Sequence, residues 1–316
     1  MQPRKTLWSG RLTLPAIAAP MTSVSGPELV TAACRAGVIG SFPTHNAPST
    51  ADLDSWLRAI KSDLAAANSP TAPVAPNLVV HRSNTRLDAD LDCLTEHRPE
   101  LVITSVGSPA SAVAKLHAVG TAVYADVASL THAWRALDAG ADGLILLTAG
   151  AGGQTGWANP FAFVRAVRER YDGPVVLAGG ISDGTAILAA QVLGVDLTYL
   201  GTRFIATRQS SASDDYRHAL VNSTLDDVRL SDRVGGIPAS LLACWLDEQQ
   251  TGTESTGFSQ DQLLDNRTAW SAGHSVSGIS EISDVSDLVA GLVRQYRTAQ
   301  QALTPLQAAP ESVNHA

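Results

Sequence analysis

A (β/α)8 TIM barrel with a mostly helical insertion near its C-terminus, covering the carboxyl-end face, is the fold that three observations predict. The first is the segment from Gly173 to Thr207: apolar run, Gly179-Gly180, helix, apolar run, Gly201-Thr202. Two consecutive parallel strands that each end in glycine suit a bound phosphate. Glycine lets backbone approach an anion closely, helix-start N–H groups point at it, and barrels hold phosphate after strands seven and eight. The second is a count of eight short apolar runs alternating with amphipathic stretches. The third is length: the chain has 316 residues, where one barrel takes ~250. A doubly wound open sheet is the competitor. The even count, and glycine turns after both last runs, favour closure.

The elements follow in order. Residues 16–19 form the first strand and 27–36 the helix after it; 38–42 the second strand and 51–67 a long helix. The third pair is 74–80 and 87–97. The fourth is 101–104 and 109–119, with Pro109 near the first turn. The fifth pair is 121–126 and 130–139, the sixth 142–147 and 161–171. Residues 175–178 and 196–200 are strands seven and eight, and Asp183 caps the helix between them. Residues 214–222 read as the last barrel helix. The organisation predicted is a barrel over 1–224, a helical substrate-covering insertion over 225–275 without strand alternation, a C-terminal helix over 276–302 returning to the barrel, and a disordered tail over 303–316.

Composition narrows the function. With 45% apolar residues, net charge −8 and no basic run, nucleic acid is excluded as a partner. No apolar run reaches the ~20 residues of a membrane helix, nor is there an apolar stretch of the signal-peptide kind, so a cytoplasmic protein is expected. Cys34, Cys93 and Cys244 are odd in number and far apart, as expected of reduced, buried thiols rather than disulfides or a metal site.

The chemistry-bearing features gather at the carboxyl ends of the strands. Strand six runs into four glycines, Gly150, Gly152, Gly153 and Gly156, within seven residues; such a cluster implies unusual dihedrals or a closely approaching ligand. Gln154 lies among them and can aim its amide at that ligand. Strand one ends in Ala19-Pro20-Met21, strand two in Phe42-Pro43-Thr44-His45-Asn46, and strand four in Thr104-Ser105-Val106-Gly107. Asn77 interrupts the apolar third strand and must find partners there, a ligand edge or a neighbouring backbone. His45 can reach the same face, or be simply solvated; His81, His97, His117, His132 and His218 have no partner spacing. The chain has no G-x-S-x-G elbow, P-loop, H-E-x-x-H, Cys-x-x-Cys or G-x-G-x-x-G after its first strand. Glycine turns without nucleophile or metal suit an organic cofactor anchored by phosphate, such as FMN, which carries the hard chemistry itself.

At these residues the chain resembles the nitronate monooxygenase family, whose superfamily also contains flavin-dependent enoyl-acyl-carrier-protein reductases and an NADH:quinone reductase. The likeness runs from Ala19-Pro20-Met21 to Trp270-Ser271-Ala272-Gly273-His274, and is most specific at AGGISDG followed by LGTRF. It implies an FMN phosphate site at Gly179, Gly180, Gly201 and Thr202, with Pro20, Met21 and Asn77 facing the isoalloxazine and the Gly150, Gly152, Gly153 segment beside it. The chain departs from the family twice. Where the family has A-G-G-H-x-G, residues 151–156 read A-G-G-Q-T-G, so Gln154 replaces a histidine linked to proton transfer. A carboxamide does not titrate usefully, but it donates hydrogen bonds. Where the family has S-A-G-Q, residues 271–274 read S-A-G-H, so His274 either replaces the lost imidazole or is a polar residue of its segment.

The resemblance implies an FMN-dependent oxidoreductase that oxidises small nitronates with oxygen, with Gln154 and His274 as its catalytic side chains. An NAD(P)H-dependent reductase acting on quinones or an enoyl thioester, and a flavin-binding protein without turnover, are the rival expectations. The partner implied is a small molecule, with oxygen or NAD(P)H as second substrate.

Overall fold

The computed structural model describes residues 8, 10–248 and 257–303. Alternation runs from β1 (Ala16–Ala18), α1 (Pro27–Arg35), β2 (Ile39–Pro43), α2 (Thr50–Ala65), β3 (Val74–Val79) and α3 (Leu87–His97). It continues through β4 (Leu101–Ser105), α4 (Ala110–Ala118), β5 (Ala122–Val127), α5 (Leu130–Asp138) and β6 (Gly143–Leu147). Next come a two-residue strand β7 (Gly153–Gln154), α6 (Pro160–Arg168), β8 (Val175–Ala178), α7 (Gly184–Leu193) and β9 (Leu197–Leu200). The chain then forms α8 (Thr202–Ile205), α9 (Asp214–Val221), β10 (Val228–Ser231), β11 (Ala239–Leu242), α10 (Ala243–Glu248), α11 (Gln260–Asp265) and α12 (Val285–Leu303).

Eight parallel strands close in the order β1-β2-β3-β4-β5-β6-β8-β9, and β9 pairs back to β1 through Ile17 opposite Tyr199. This is the (β/α)8 TIM barrel read from the sequence, with every strand within two residues of its expected bounds. Strand side chains alternate between the barrel interior and the helices. The interior holds Ile17, Ile39, Ala75, Ile103, Tyr124, Ile145, Val176 and Leu197, while Leu144, Leu146, Val175 and Leu177 pack outward against Val164, Ile187 and Leu292. Asp183 caps α7, its carboxylate accepting from the Ala186 N–H at 2.8 Å.

The C-terminal part corrects the expected order of elements. Helix α12, not α9, takes the eighth helix position: its buried Val285, Leu288, Val289 and Leu292 join the outer core with Ile187 and Ala190 of α7 and Leu29 and Ala33 of α1. Helix α9 packs at the carboxyl-end face, where Tyr216 and Leu220 meet Val24, Leu242, Ala272 and Val276. Its Tyr216 stacks parallel on Trp270, centroids 5.5 Å apart.

The stretch 225–275 contains helices α10 and α11, but also two strands where helix was expected. Antiparallel β10 and β11 form a small sheet with β7, in which Ala239 lies opposite Gln154 and Ser240 opposite Gly153. Strands this short carry little alternation, and β11 pairs with residues about eighty positions away, so local pattern does not reveal them. The Ser/Thr/Gly-rich residues 251–259 lie partly outside the described residues, as does the tail expected over 303–316, except Leu303, which ends α12. Cys34 and Cys93 are buried; Cys244, expected buried, is exposed. Among the described residues no helix is long and apolar enough to cross a membrane.

Candidate functional site

A cavity of about 1290 Å³, measured out to open solvent, occupies the carboxyl-end face. Its floor is the uppermost inward layer of the strands: Ala19, Pro43, Asn77, Ser105, Asp126, Leu147, Ala178 and Tyr199. Its roof is the lid segment, through Val234, Ala239, Leu263, Asn266, Arg267 and Ala269. The lid is pinned across the mouth where Gln260 N–H donates to Ser83 Oγ at 3.1 Å, and where His81 meets the Phe258 ring edge.

The glycine turns line one end. Gly179 has φ +125°, and Gly180 has φ +69° with open space where a Cβ would stand. Thr202 is buried, and its Oγ1 accepts the Gly273 N–H at 2.9 Å, which leaves the hydroxyl hydrogen available to a ligand. Arg203, next in the chain, reaches back toward Ser182 and Gly278. It is half-buried, its Nε has no hydrogen-bond partner among the described residues, and burial lowers its pKa. Open glycine backbone and a free hydroxyl match donors of a phosphate monoester site, while Arg203 lies behind the cavity lining.

Pro20 and Met21 form the wall after β1. Asn46 holds that turn: its Nδ2 donates to Met21 O and Ser25 O at 2.9 Å, and its Oδ1 accepts from Ser23 N–H. Asn77 donates to Ser105 Oγ at 3.1 Å and to Ile103 O at 3.4 Å, so it satisfies the neighbouring-backbone alternative while still lining the cavity. The loop 150–153 is clamped between barrel and lid. A Cβ on Gly152 would stand 2.7 Å from Gly273 N, and one on Gly273 2.5 Å from Gly150 O, so two backbones touch where side chains cannot fit. Gln154 lines the cavity, held in place by its strand pairing with Ala239.

All ten residues expected to hold the cofactor, and Gln154, therefore line one cavity. His274 does not. It opens the 3-10 turn His274–Gly278, where Ser275 and Val276 face inward, so its own side chain is exposed. Its N–H donates to Gly150 O at 2.9 Å, and its ring lies beside Gly150, where a Cβ would stand 2.9 Å from Nδ1. The imidazole missing at position 154 is not restored from there.

Two wall residues were passed over or weakly read in the sequence. His45 is buried on the 3-10 turn Thr44–Asn46 and lines the cavity with Thr22, its Nε2 3.0 Å from Thr22 Oγ1. Burial first, then Arg267 and Arg86, lowers its pKa to about 4, so the ring is neutral at ordinary pH. Its Nδ1 is buried with no partner among the described residues. A buried N–H without an acceptor is rarer than a bare lone pair, which places the proton on Nε2 and the Thr22 hydroxyl hydrogen free toward the cavity. The second is Asp126, one carboxylate in an otherwise apolar strand, legible only through the inward parity it shares with Tyr124.

Comparison with known proteins follows this geometry. The family model described as nitronate monooxygenase matches residues 5–263. A "(3aS,4S,5R,7aS)-5-hydroxy-7a-methyl-1-oxo-octahydro-1H-indene-4-carboxyl-CoA dehydrogenase" of Rhodococcus jostii is 28% identical over 228 residues, covering 72% of this chain and 62% of that protein. A nitronate monooxygenase of Paraburkholderia phytofirmans is also 28% identical, covering 72% of this chain and 73% of the relative. The chain thus matches less than two thirds of the first relative's length. Among solved structures, the nitroalkane oxidase from Streptomyces ansochromogenes superposes with a TM-score of 0.81 at 22% identity, over 94% of this chain and all of the other. FabK from Thermotoga maritima gives 0.80 at 23% identity, over 96% and 99%.

Proposed function

Since the chain belongs to the nitronate monooxygenase family, we propose that it is an FMN-dependent oxidoreductase that oxidises small nitronates with oxygen. The observation that carries this reading is the cavity's division into two ends. One end, Gly179, Gly180, Gly201 and Thr202 with Arg203 behind, has the donors for the FMN phosphate; the floor and the Pro20-Met21 wall suit a flat ring. When bound, FMN supplies the redox chemistry that no side chain here offers.

The protein's own residues bind and orient. Arg267 and the lid close the vestibule with Val234 and Leu263, giving a cationic rim on an apolar clamp that suits a small anion with a short carbon body. Thr22, oriented by His45, and Gln154, fixed by the lid sheet, both donate hydrogen bonds to substrate oxygens. Neither takes a proton, which is adequate for a nitronate because it is already deprotonated; neutral nitroalkanes are poor substrates on this reading.

The test is oxygen uptake with ethylnitronate or propionate 3-nitronate by protein whose absorbance shows bound flavin, released as FMN on heating. Uptake is expected with nitronates and not with the parent nitroalkanes. Full FMN occupancy without uptake would sink the monooxygenase reading. Thr22→Val removes the oriented hydroxyl at near-constant volume and is expected to lower kcat/KM about tenfold, the value of one hydrogen bond of about 1.4 kcal/mol; an unchanged constant means the hydroxyl does not meet substrate. Because the His45 pKa is lowered to about 4, kcat/KM should show no step between about pH 5 and 7, where an ordinary imidazole titrates; a bell limb near neutrality would contradict a neutral His45.

A second reading is an NAD(P)H-dependent flavin reductase acting on quinones or an enoyl thioester; relatives named as dehydrogenases of a carboxyl-CoA keep a thioester substrate in view. Anaerobic bleaching of the flavin by NADH or NADPH, with none by nitronates, would replace the first reading with this one.

A further inference from the structure

The floor of the cavity contains two polar groups left without a hydrogen-bond partner among the described residues. Inward-facing positions of the top layer are apolar, or they satisfy one another: Asn77 donates to Ser105 Oγ, and the Ser105 hydroxyl returns to Asn77 Oδ1 at 3.3 Å. Asp126 Oδ1 and the Tyr199 hydroxyl are buried without any hydrogen-bond partner among the described residues. Asp126 lies two residues beyond Tyr124 on the same face of β5 and opposite Ile145 of β6 in register. Tyr199 comes from β9.

We propose that Asp126 contacts the bound cofactor as a protonated carboxylic acid, donating a hydrogen bond from the barrel floor to an acceptor atom of the flavin ring, with the Tyr199 hydroxyl beside it. The inference rests on the flavin reading above. Asp126 is half-buried, and its buried Oδ1 has no partner among the described residues, a setting that favours the neutral acid over the carboxylate. Around Asp126 nothing counters that. Its own strand presents Tyr124; β4 presents Ile103 and Ser105, β6 Ile145, and β9 Tyr199. None of these carries a charge at ordinary pH; of the other titratable groups lining the cavity, His45 is neutral, Tyr216 is kept protonated by burial, and Arg267 stands in the roof opposite the floor. Burial alone raises the Asp126 pKa, to about 8; it also raises that of Tyr199, with Asp126 a lesser contributor. Asp126 Oδ1 has no partner among the described residues, and a flavin bound over the floor would offer acceptor atoms to an acid O–H there. The carboxyl therefore does at the floor what Gln154 does at the rim: it donates without ionising, and only below its own pKa.

The experiment compares wild type, Asp126→Asn and Asp126→Leu, each stripped of flavin. Thermal stability without ligand comes first. The folded-state pKa lies above the unfolded value of about 3.9, so the folded protein binds the extra proton between them. Wild-type stability falls through that window as pH rises, and the loss is complete above about pH 8. The Asn variant has no such slope, so its Tm advantage should grow to about pH 8 and then level. FMN titration by fluorescence quenching follows, at about pH 6 and about pH 9.5, either side of the carboxyl. Wild type is expected to lose about tenfold in affinity at the higher pH, one hydrogen bond's worth. Asn, a neutral donor, should keep its affinity at both, and Leu should be about tenfold weaker than Asn at both. Identical pH dependence of binding in wild type and the Asn variant overturns the inference while leaving the flavin reading intact. A wild type that takes up no FMN at either pH overturns the flavin reading, and the proposed partner of Asp126 with it.

Discussion

Gly179→Ala is expected to purify as a folded barrel that holds no flavin. Gly179 sits at φ +125°, a region an alanine enters only with strain, and its new Cβ would stand 2.3 Å from Thr148 Oγ1 and 3.0 Å from Ala149 O. Thr148 cannot yield freely, because its hydroxyl and N–H both bond Ala178 O, at 2.7 and 3.1 Å. The strain, of order 1–3 kcal/mol, is relieved most cheaply by moving the turn 179–180 into the cavity it opens on. That places backbone where a phosphate must lie. Affinity for FMN should fall at least about a hundredfold, or ~2.7 kcal/mol, read by titrating the flavin-stripped protein, with circular dichroism to show that the barrel persists. Stoichiometric flavin in the purified variant would mean that this turn does not hold the phosphate.

Gly184→Ala should have the largest effect on stability, with a sign opposite to the usual one. In a helix, replacing glycine by alanine ordinarily gains ~0.5–1 kcal/mol. Gly184 opens α7 where α12 crosses it, and a Cβ there would meet Leu292 O and Tyr296 N at 2.2 Å, both backbone atoms of the crossing helix. The two helices must separate, at about 3 kcal/mol, the upper end of ordinary overpacking. A thermal melt should show Tm lower by about 5–10 °C, whereas Gly10→Ala, with nothing within 4 Å, should leave it unchanged. An unaltered or raised Tm for Gly184→Ala would show that the α7–α12 contact is looser than described.

The contrast between these glycines and the missed elements explains what the sequence could reveal. Buried parallel strands are runs of apolar residues whatever they pair with, so β1 to β6, β8 and β9 are legible one at a time. The phosphate end is legible because its requirement is local: Gly179, Gly180 and Gly201 mark backbone that a side chain would obstruct. Gln154 was visible as a departure, but its fixation by Ala239 depends on a strand some eighty residues later. Asp126 and His45 were hard to read for another reason. A lone polar residue in an apolar strand or loop takes its meaning from what faces it, and only the closed barrel brings Thr22 to His45 and leaves Asp126 Oδ1 without a partner among the described residues. His274 shows the reverse error: its motif was right, but the inward turn at Ser275 and Val276 leaves the imidazole outside.

The position of α12 bears on how this chain reaches its native state. A staved vessel is not watertight until its last stave is driven home, and here that stave emerges after some eighty residues of covering structure have been made. Between β9 and α12 lies everything that roofs the cavity, so the seam between α7 and α1 stays open during synthesis while the roof is assembled. Nascent chains should dwell as a seven-helix intermediate with apolar Ile187, Ala190 and Leu29 uncovered along the gap. The ligand's entrance and the final closure of the wall are thus completed by one continuous stretch of polypeptide, and a cut at residue 224 yields no half that is whole.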